Sequence, residues 1–163
     1  MSDGGLPSLG RRGEGWVAIQ GALIVAALAC GLRGPRWPAA LRPALRAAAV
    51  VNGLAGGALF AAGGAGLGRQ LTPFPKPVEG GELRQSGAYG LVRHPLYGGV
   101  LLLASAWAFA TSPAALAPIG AAVPFLELKS RREEAWLEEQ YPDYPAYAER
   151  VPKKFLQIGR AHV

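Results

Sequence analysis

Three stretches of the chain carry no charged side chain: residues 16–32, 47–68 and 95–126. A membrane-crossing helix needs about 20 mostly apolar residues, each rising ~1.5 Å. The second stretch meets that length alone. The first meets it once its flanking glycines and an interfacial Trp16 are counted, and the third is too long for one span. The pattern predicts a helix over 15–32, closed by a loop in which Arg33, Gly34, Pro35, Arg36 and Pro38 act as breakers and Trp37 as an interface anchor. A second helix is predicted over 43–68, where Gly53 and Gly57 at small-xxx-small spacing let a neighbouring helix approach closely. A polar connector with Pro73, Pro75, Pro77, Gly80 and Gly81 follows over 69–93. The third stretch breaks at Thr111-Ser112-Pro113, which predicts a helical hairpin with legs at 96–110 and 114–126. Its second leg is expected to continue into water as an amphipathic helix to Tyr141, with Trp136 and Leu137 on the apolar side.

The fold class expected is all-α: an integral membrane helical bundle of about four transmembrane segments, including a C-terminal helical hairpin followed by an amphipathic cytoplasmic helix. Residues 1–14 read as a polar N-terminal tail, 15–68 as two transmembrane helices, and 69–157 as one region of connector, hairpin and amphipathic helix. Residues 158–163 resemble the in-frame translation of a sequencing adapter; they are set aside as an assembly artefact, His162 included. Arg11 and Arg12 before an apolar run imitate a signal peptide. No small-x-small site leads into a polar mature domain, so an uncleaved first span is expected.

Composition agrees with a membrane. Half the residues are hydrophobic and only 17% are charged, against roughly 25% in soluble domains. The net charge of +6 does not point to nucleic acid, because the basic residues sit between apolar segments instead of forming one stripe with interleaved aromatics. They read as membrane-flanking charges facing anionic lipid. Four segments put both termini and the connector on one side. That side holds twelve Lys and Arg, with Arg160 set aside, against Arg33, Arg36, Arg42 and Arg46 on the other; the positive-inside rule makes it cytoplasmic. Cys30 has no partner for an internal disulfide, cysteine-cluster metal binding is excluded, and the residue reads as a small apolar group at a helix interface. Gly64, Gly66 and Gly68 miss the spacing of a nucleotide loop and end a membrane helix.

Two segments carry candidate chemistry. In Ser86–Gly98, Pro95 suits the first turn of a helix, His94 stands at its entrance, and Tyr97 lies one turn further along the same face. Unsatisfied N–H groups at such an end attract anions, and together with Arg93 and Tyr89 they suit a ligand bearing a carboxylate and an aromatic base. The same residues also fit a simpler description, with His94 capping the helix and the tyrosines in an interfacial belt. In the second segment, Lys129 and Glu133 share a helix face, with Glu134, Trp136, Tyr141, Tyr144 and Tyr147 beyond. This fits a solvated helix with intrahelical pairs as well as it fits a ligand wall. A hairpin returns the chain to its starting side, so the two segments are expected to meet.

Arg93-His94-Pro95-x-Tyr97-x-Gly99, then a hairpin, then Glu133-Glu134-x-x-Leu137 and Tyr144-x-x-Tyr147-x-x-x-Val151 resembles the isoprenylcysteine carboxyl methyltransferase family, itself related to bacterial phospholipid methyltransferases. The resemblance covers residues 83–156. It implies an S-adenosylmethionine pocket, with cofactor contacts mapping to Glu82, Leu83, Arg84, Tyr89, His94, Pro95, Leu96, Tyr97 and Glu133. An arginine that the family keeps near its substrate falls on Lys129, which keeps the charge and loses the planar fork that grips a carboxylate. The expected activity is methyl transfer to a lipophilic or small-molecule acceptor (a carboxylate, thiol or amine), with the bilayer as partner and no metal. Two alternatives stand beside it. One is a nicotinamide-dependent membrane reductase of the sterol-reductase kind, which ends in a similar pattern but is much longer. The other is a non-catalytic membrane module that keeps the fold.

Overall fold

In the computed structural model, which describes residues 6–156, all regular structure is helical, with no strand among these residues. Residues 158–163, read from the sequence as adapter-derived, lie outside the described residues. The helices are α1 (Glu14–Arg33), α2 (Arg42–Leu67), α3 (Pro95–Ala110), α4 (Leu116–Gln140) and the short α5 (Tyr144–Arg150). Both α2 and α3 open with a proline in the first two positions, where its missing N–H costs no helical hydrogen bond. α1 has 20 residues and α2 has 26, or about 30 and 39 Å of rise. α3, with 16 residues, rises only about 24 Å.

α1 and the stretch Ala39–Gln70, which contains α2, are long and apolar enough to cross a membrane. Only 17% and 11% of their apolar windows are buried within the protein. Helices of a soluble core hide their apolar face against neighbours; these leave Val25, Leu32, Val50, Val51 and Leu54 exposed.

α2 and α3 run antiparallel, with Gly53 opposite Ala106, Gly56 opposite Gly99 and Leu102, and Gly63 opposite Pro95. Gly56 and Gly99 permit this closeness: a Cβ on Gly56 would stand 2.8 Å from Leu102 Cβ and 2.9 Å from the Gly99 carbonyl, and one on Gly99 would stand 2.9 Å from Phe60 Cβ. The pair picked out by small-residue spacing is not the contact. Gly57 has nothing within 4 Å, and Gly53 meets only Ala106, at 3.8 Å. One residue is about 100° of helix rotation, so Gly57 points away while Gly56 faces α3. Within the same interface Asn52 donates to Ser105 Oγ at 2.9 Å.

The third apolar stretch is interrupted at Thr111 and Ser112, as Pro113 leads one to expect. Ser112 Oγ accepts from the Ala114 N–H (3.1 Å), and Trp37 Nε1 donates to the Ala108 carbonyl at the end of α3 (2.8 Å). α1 lies antiparallel to α4: Gly34 touches Ser112, Ala27 and Cys30 pack in a cluster with Ala108, Ala115 and Ile119, and Gln20 reaches Lys129. Cys30 is thus at a helix interface, as its setting suggests. Trp16 is not the interfacial anchor expected. It is 4% exposed, packed on Phe125 with ring centroids 5.7 Å apart, and its Nε1 donates to the Pro7 carbonyl, because residues 7–13 fold back beside the base of α1. α4 continues unbroken from its apolar first half into the polar stretch that begins at Glu127, with Trp136 buried. The start of α1, the end of α2, the start of α3 and the second half of α4 therefore collect at one end of the molecule.

Gly56→Val places branched carbons against the α3 backbone. It is expected to destabilise the fold by about 1–3 kcal/mol, the usual cost of overpacking, whereas Gly57→Ala leaves stability unchanged. Thermal unfolding of the two variants in the same detergent checks the difference.

Candidate functional site

The end where these helices collect encloses a cavity of about 370 Å³, within the roughly 300–1,000 Å³ typical of small-molecule sites. One wall is the irregular connector (Leu71, Pro73, Phe74, Pro75 and Val78, then Glu82–Arg84); the opposite wall is the start of α3 and the middle of α4. Glu82, Leu83, Arg84, Tyr89, His94, Leu96, Tyr97, Lys129 and Glu133 all line it. Pro95 does not; it is buried beneath, against Gly63 of α2, where it starts the helix. Glu82 and Arg84 stand at the rim as a surface ion pair 3.4 Å apart, and their side chains are largely exposed.

His94 occupies the residue before α3, but its side chain does not cap the helix. The ring is 5% exposed, lies stacked on Tyr97 (centroids 5.4 Å, planes 10° apart), and its Nε2 is 2.9 Å from Glu134 Oε1. Its other nitrogen, Nδ1, is 3.8 Å from Glu133 Oε2. A carboxylate can only accept, so Nε2 carries the hydrogen and donates to Glu134. Tyr97 donates its hydroxyl to Glu133 Oε2 at 2.6 Å. Neither ring belongs to an exposed belt, and Tyr89 is buried as well.

Adjacent residues on a helix point about 100° apart, and the two glutamates use this. Glu133 faces the cavity with its side chain 26% exposed. Glu134 turns into the protein, where Oε1 also accepts from Arg93 Nε (2.9 Å) and Oε2 lies 3.4 Å from Lys154 Nζ. Burial pushes the Glu134 carboxyl up, but the His94 hydrogen bond and the charges of His94, Lys154 and Arg93 outweigh it and hold the group at about 2. Arg93 continues the link, donating to the Val151 carbonyl at 2.7 Å. Glu134 and Lys154 were not among the sequence-predicted contacts, and Arg93, expected beside a ligand carboxylate, is engaged by Glu134 and Val151. The resemblance pointed to Glu133 as the member of the doubled glutamate at the cavity, but nothing in the sequence gave Glu134 its partners.

Lys129 lines the cavity yet is only 1% exposed. Its ammonium donates to Gln20 Oε1 of α1 and to the Pro73 carbonyl of the connector (3.3 Å), and lies 5.2 Å from the centre of the Tyr97 ring. Burial lowers its pKa, and the charge of Glu133 works against that. The side chain therefore braces α1, α3, α4 and the connector, and does not reach Glu133 as an intrahelical partner. Gln20, a polar residue inside the first charge-free stretch, is a cavity residue that sequence reasoning missed; its isolation among apolar neighbours was the available signal.

The tyrosines after α4 form the floor. Tyr147 donates to the Tyr89 carbonyl (2.7 Å) and packs edge-on against Tyr144 (5.7 Å between centroids). Burial raises the phenols of Tyr89 and Tyr144, and pushes Tyr147 up to about 12, so all three stay neutral near pH 7. The Tyr144 hydroxyl is buried with no hydrogen-bond partner among the described residues. Such a group costs free energy, and its ring belongs to the cavity wall.

Comparison of the whole chain with family models, with curated proteins and with solved structures returns no match.

The Glu134 carboxyl sits below its ordinary 4.5, at about 2. A depressed carboxyl contributes stability that is fully present above the unfolded value and is lost as pH falls through the folded one; here that contribution is roughly 3 kcal/mol. Glu134→Gln is expected to be less stable than the native chain at pH 7, with the gap closing between about pH 4.5 and pH 2. Denaturant unfolding of both proteins across that range measures it.

Proposed function

We propose that this chain is a multi-pass membrane methyltransferase that takes its methyl group from S-adenosylmethionine. In this reading four segments cross or enter the bilayer, the third and fourth (α3 and the first half of α4) form the hairpin, the rest of α4 is the amphipathic helix, and the cavity opens on the cytoplasmic face. The resemblance to the isoprenylcysteine carboxyl methyltransferase family supplied the residues. The observation that carries the reading is that its two motifs, 36 residues apart at Tyr97 and Glu133, meet in one cavity through a 2.6 Å hydrogen bond.

The cavity's chemistry fits the cofactor. Glu133 offers an anionic acceptor of the kind a ribose diol takes. Tyr89 presents an aromatic ring to the cavity, which attracts a sulfonium as it attracts other cations. Arg84 at the rim and Arg93 in the wall complement an amino-acid carboxylate. The Tyr144 hydroxyl, without an acceptor among the described residues, is a donor a ligand could satisfy. When bound, the cofactor supplies an electrophilic methyl carbon. The chain's own part is alignment and exclusion of water: the stacked His94 and Tyr97 rings fix one wall, and the Lys129 brace holds the connector over the other. The acceptor is a lipophilic or small molecule reached from the apolar side, where Phe60, Leu96 and Val100 line the cavity.

Glu133→Ala removes the acceptor on the cavity side, and His94→Ala removes the ring that stacks on Tyr97. Each is expected to weaken S-adenosylmethionine binding at least tenfold, measured by calorimetry on purified protein. Affinity equal to the native chain in both variants sinks the site assignment. Tighter binding of a reduced nicotinamide cofactor than of S-adenosylmethionine turns the reading to the reductase class.

A further inference from the structure

Residues 151–156, which follow α5, form neither helix nor strand, yet they are fastened at almost every step. The Val151 carbonyl accepts from the Arg93 guanidinium (2.7 Å). The Lys153 and Lys154 carbonyls accept from the backbone N–H groups of Arg93 (2.9 Å) and His94 (2.7 Å), two donors at the approach to α3 that an incoming anion would otherwise meet. The Phe155 ring stands edge-on to Tyr97 at 6.1 Å and tilted to His94 at 6.0 Å. The Phe155 carbonyl lies against Gly98, where a Cβ would come within 2.0 Å of it, so only glycine admits the segment there. Finally, Lys154 Nζ reaches Glu127 Oε1 (3.1 Å), Ser130 Oγ (3.4 Å) and Glu134 Oε2 (3.4 Å).

We propose that residues 151–156 are a positioning element for the cavity, in which Lys154 holds the Glu134 carboxylate and that carboxylate holds the His94 ring in one tautomer and one orientation. The terminal torsion of a glutamate is soft, so a carboxylate is oriented only by its partners. Arg93 and His94 share Oε1, and Lys154 engages Oε2. Without Lys154 the carboxylate turns, Nε2 loses its fixed acceptor, and the ring can present a hydrogen on Nδ1 to Glu133, already 3.8 Å away. Lys154 is not a cavity-lining residue and acts only through Glu134. The proposal rests on the cofactor reading for its binding arm alone.

The chain has two histidines, so a His162→Gln background leaves His94 as the only imidazole for nitrogen-15 spectroscopy of the ligand-free protein. With the imidazole titrated to its neutral form, the native sequence at 154 is expected to give a single Nε2–H tautomer, Lys154→Met a mixture, Lys154→Arg the native pattern again, and Glu127→Gln no change. Affinity for S-adenosylhomocysteine, the demethylated cofactor, is expected to fall about tenfold in Lys154→Met, through the loosened His94 ring, and to return in Lys154→Arg. Lys154→Gln replaces the methionine variant if circular dichroism shows that the latter has lost its helices. A single fixed tautomer in a folded Lys154→Met or Lys154→Gln protein overturns the proposal, as does a mixture accompanied by full affinity. If the native protein does not bind S-adenosylhomocysteine but the tautomer still responds to Lys154, the methyltransferase reading fails and the positioning role stands.

Discussion

An ionised carboxylate withdrawn from water must be surrounded by cations and donors, and Glu134 sets that requirement at the centre of the molecule's polar end. Its three partners come from two places in the chain: Arg93 and His94 from the approach to α3, and Lys154 from the segment after α5. None of these contacts is local in sequence. Removing any one leaves the others around a poorly compensated buried charge, which costs far more than the pair's net contribution. The cluster therefore fixes how α3, α4 and the segment after α5 come together, and the cavity is what remains between that fixed wall and the connector.

The connector has no regular structure of its own between Leu71 and Ser86, so its shape comes from outside. Lys129 holds it from within through the Pro73 carbonyl. The segment before α1 holds it from without: Arg12 lies over the Phe74 ring at 4.3 Å, and Gly13 sits against Pro75. A lysine engaged by Gln20, Pro73 and the face of Tyr97 is a strut, and its charge reaches a bound acceptor only by giving up one of those partners. This alters what Lys129 in the position of the family's arginine implies. A compact ammonium fits the confined bracing site, where a planar guanidinium would project further.

Much of this was legible along the chain. The charge-free stretches gave α1 and α2 within a residue or two, Pro113 marked the break, and Pro95 marked the start of α3 with His94 and Tyr97 on one face. What escaped was rotation and long-range closure. Small-residue spacing identified α2 as a close-packing helix but chose Gly57 over Gly56, because spacing alone does not say which side faces a neighbour. The resemblance singled out Glu133 as the cofactor contact but gave Glu134 no role, although a single step of helix sends Glu133 to the cavity and Glu134 into the protein. Trp16 read as interfacial because nothing in residues 7–13 announces that they fold back over it. The roles of Lys154 and Phe155 depend on contacts across twenty residues or more, which no local pattern encodes.

If α3 enters the bilayer as proposed, its brevity has a consequence for the lipid beside it. A hydrocarbon slab about 30 Å thick is deeper than a 16-residue helix is tall, so in the membrane reading proposed above the bilayer must dimple beside α3 or admit its polar end below the headgroups. His94 and Tyr97 stand at that end. Membranes of different thickness would then raise or sink the cavity mouth relative to the lipid surface, making acyl-chain length a natural control on what can reach it.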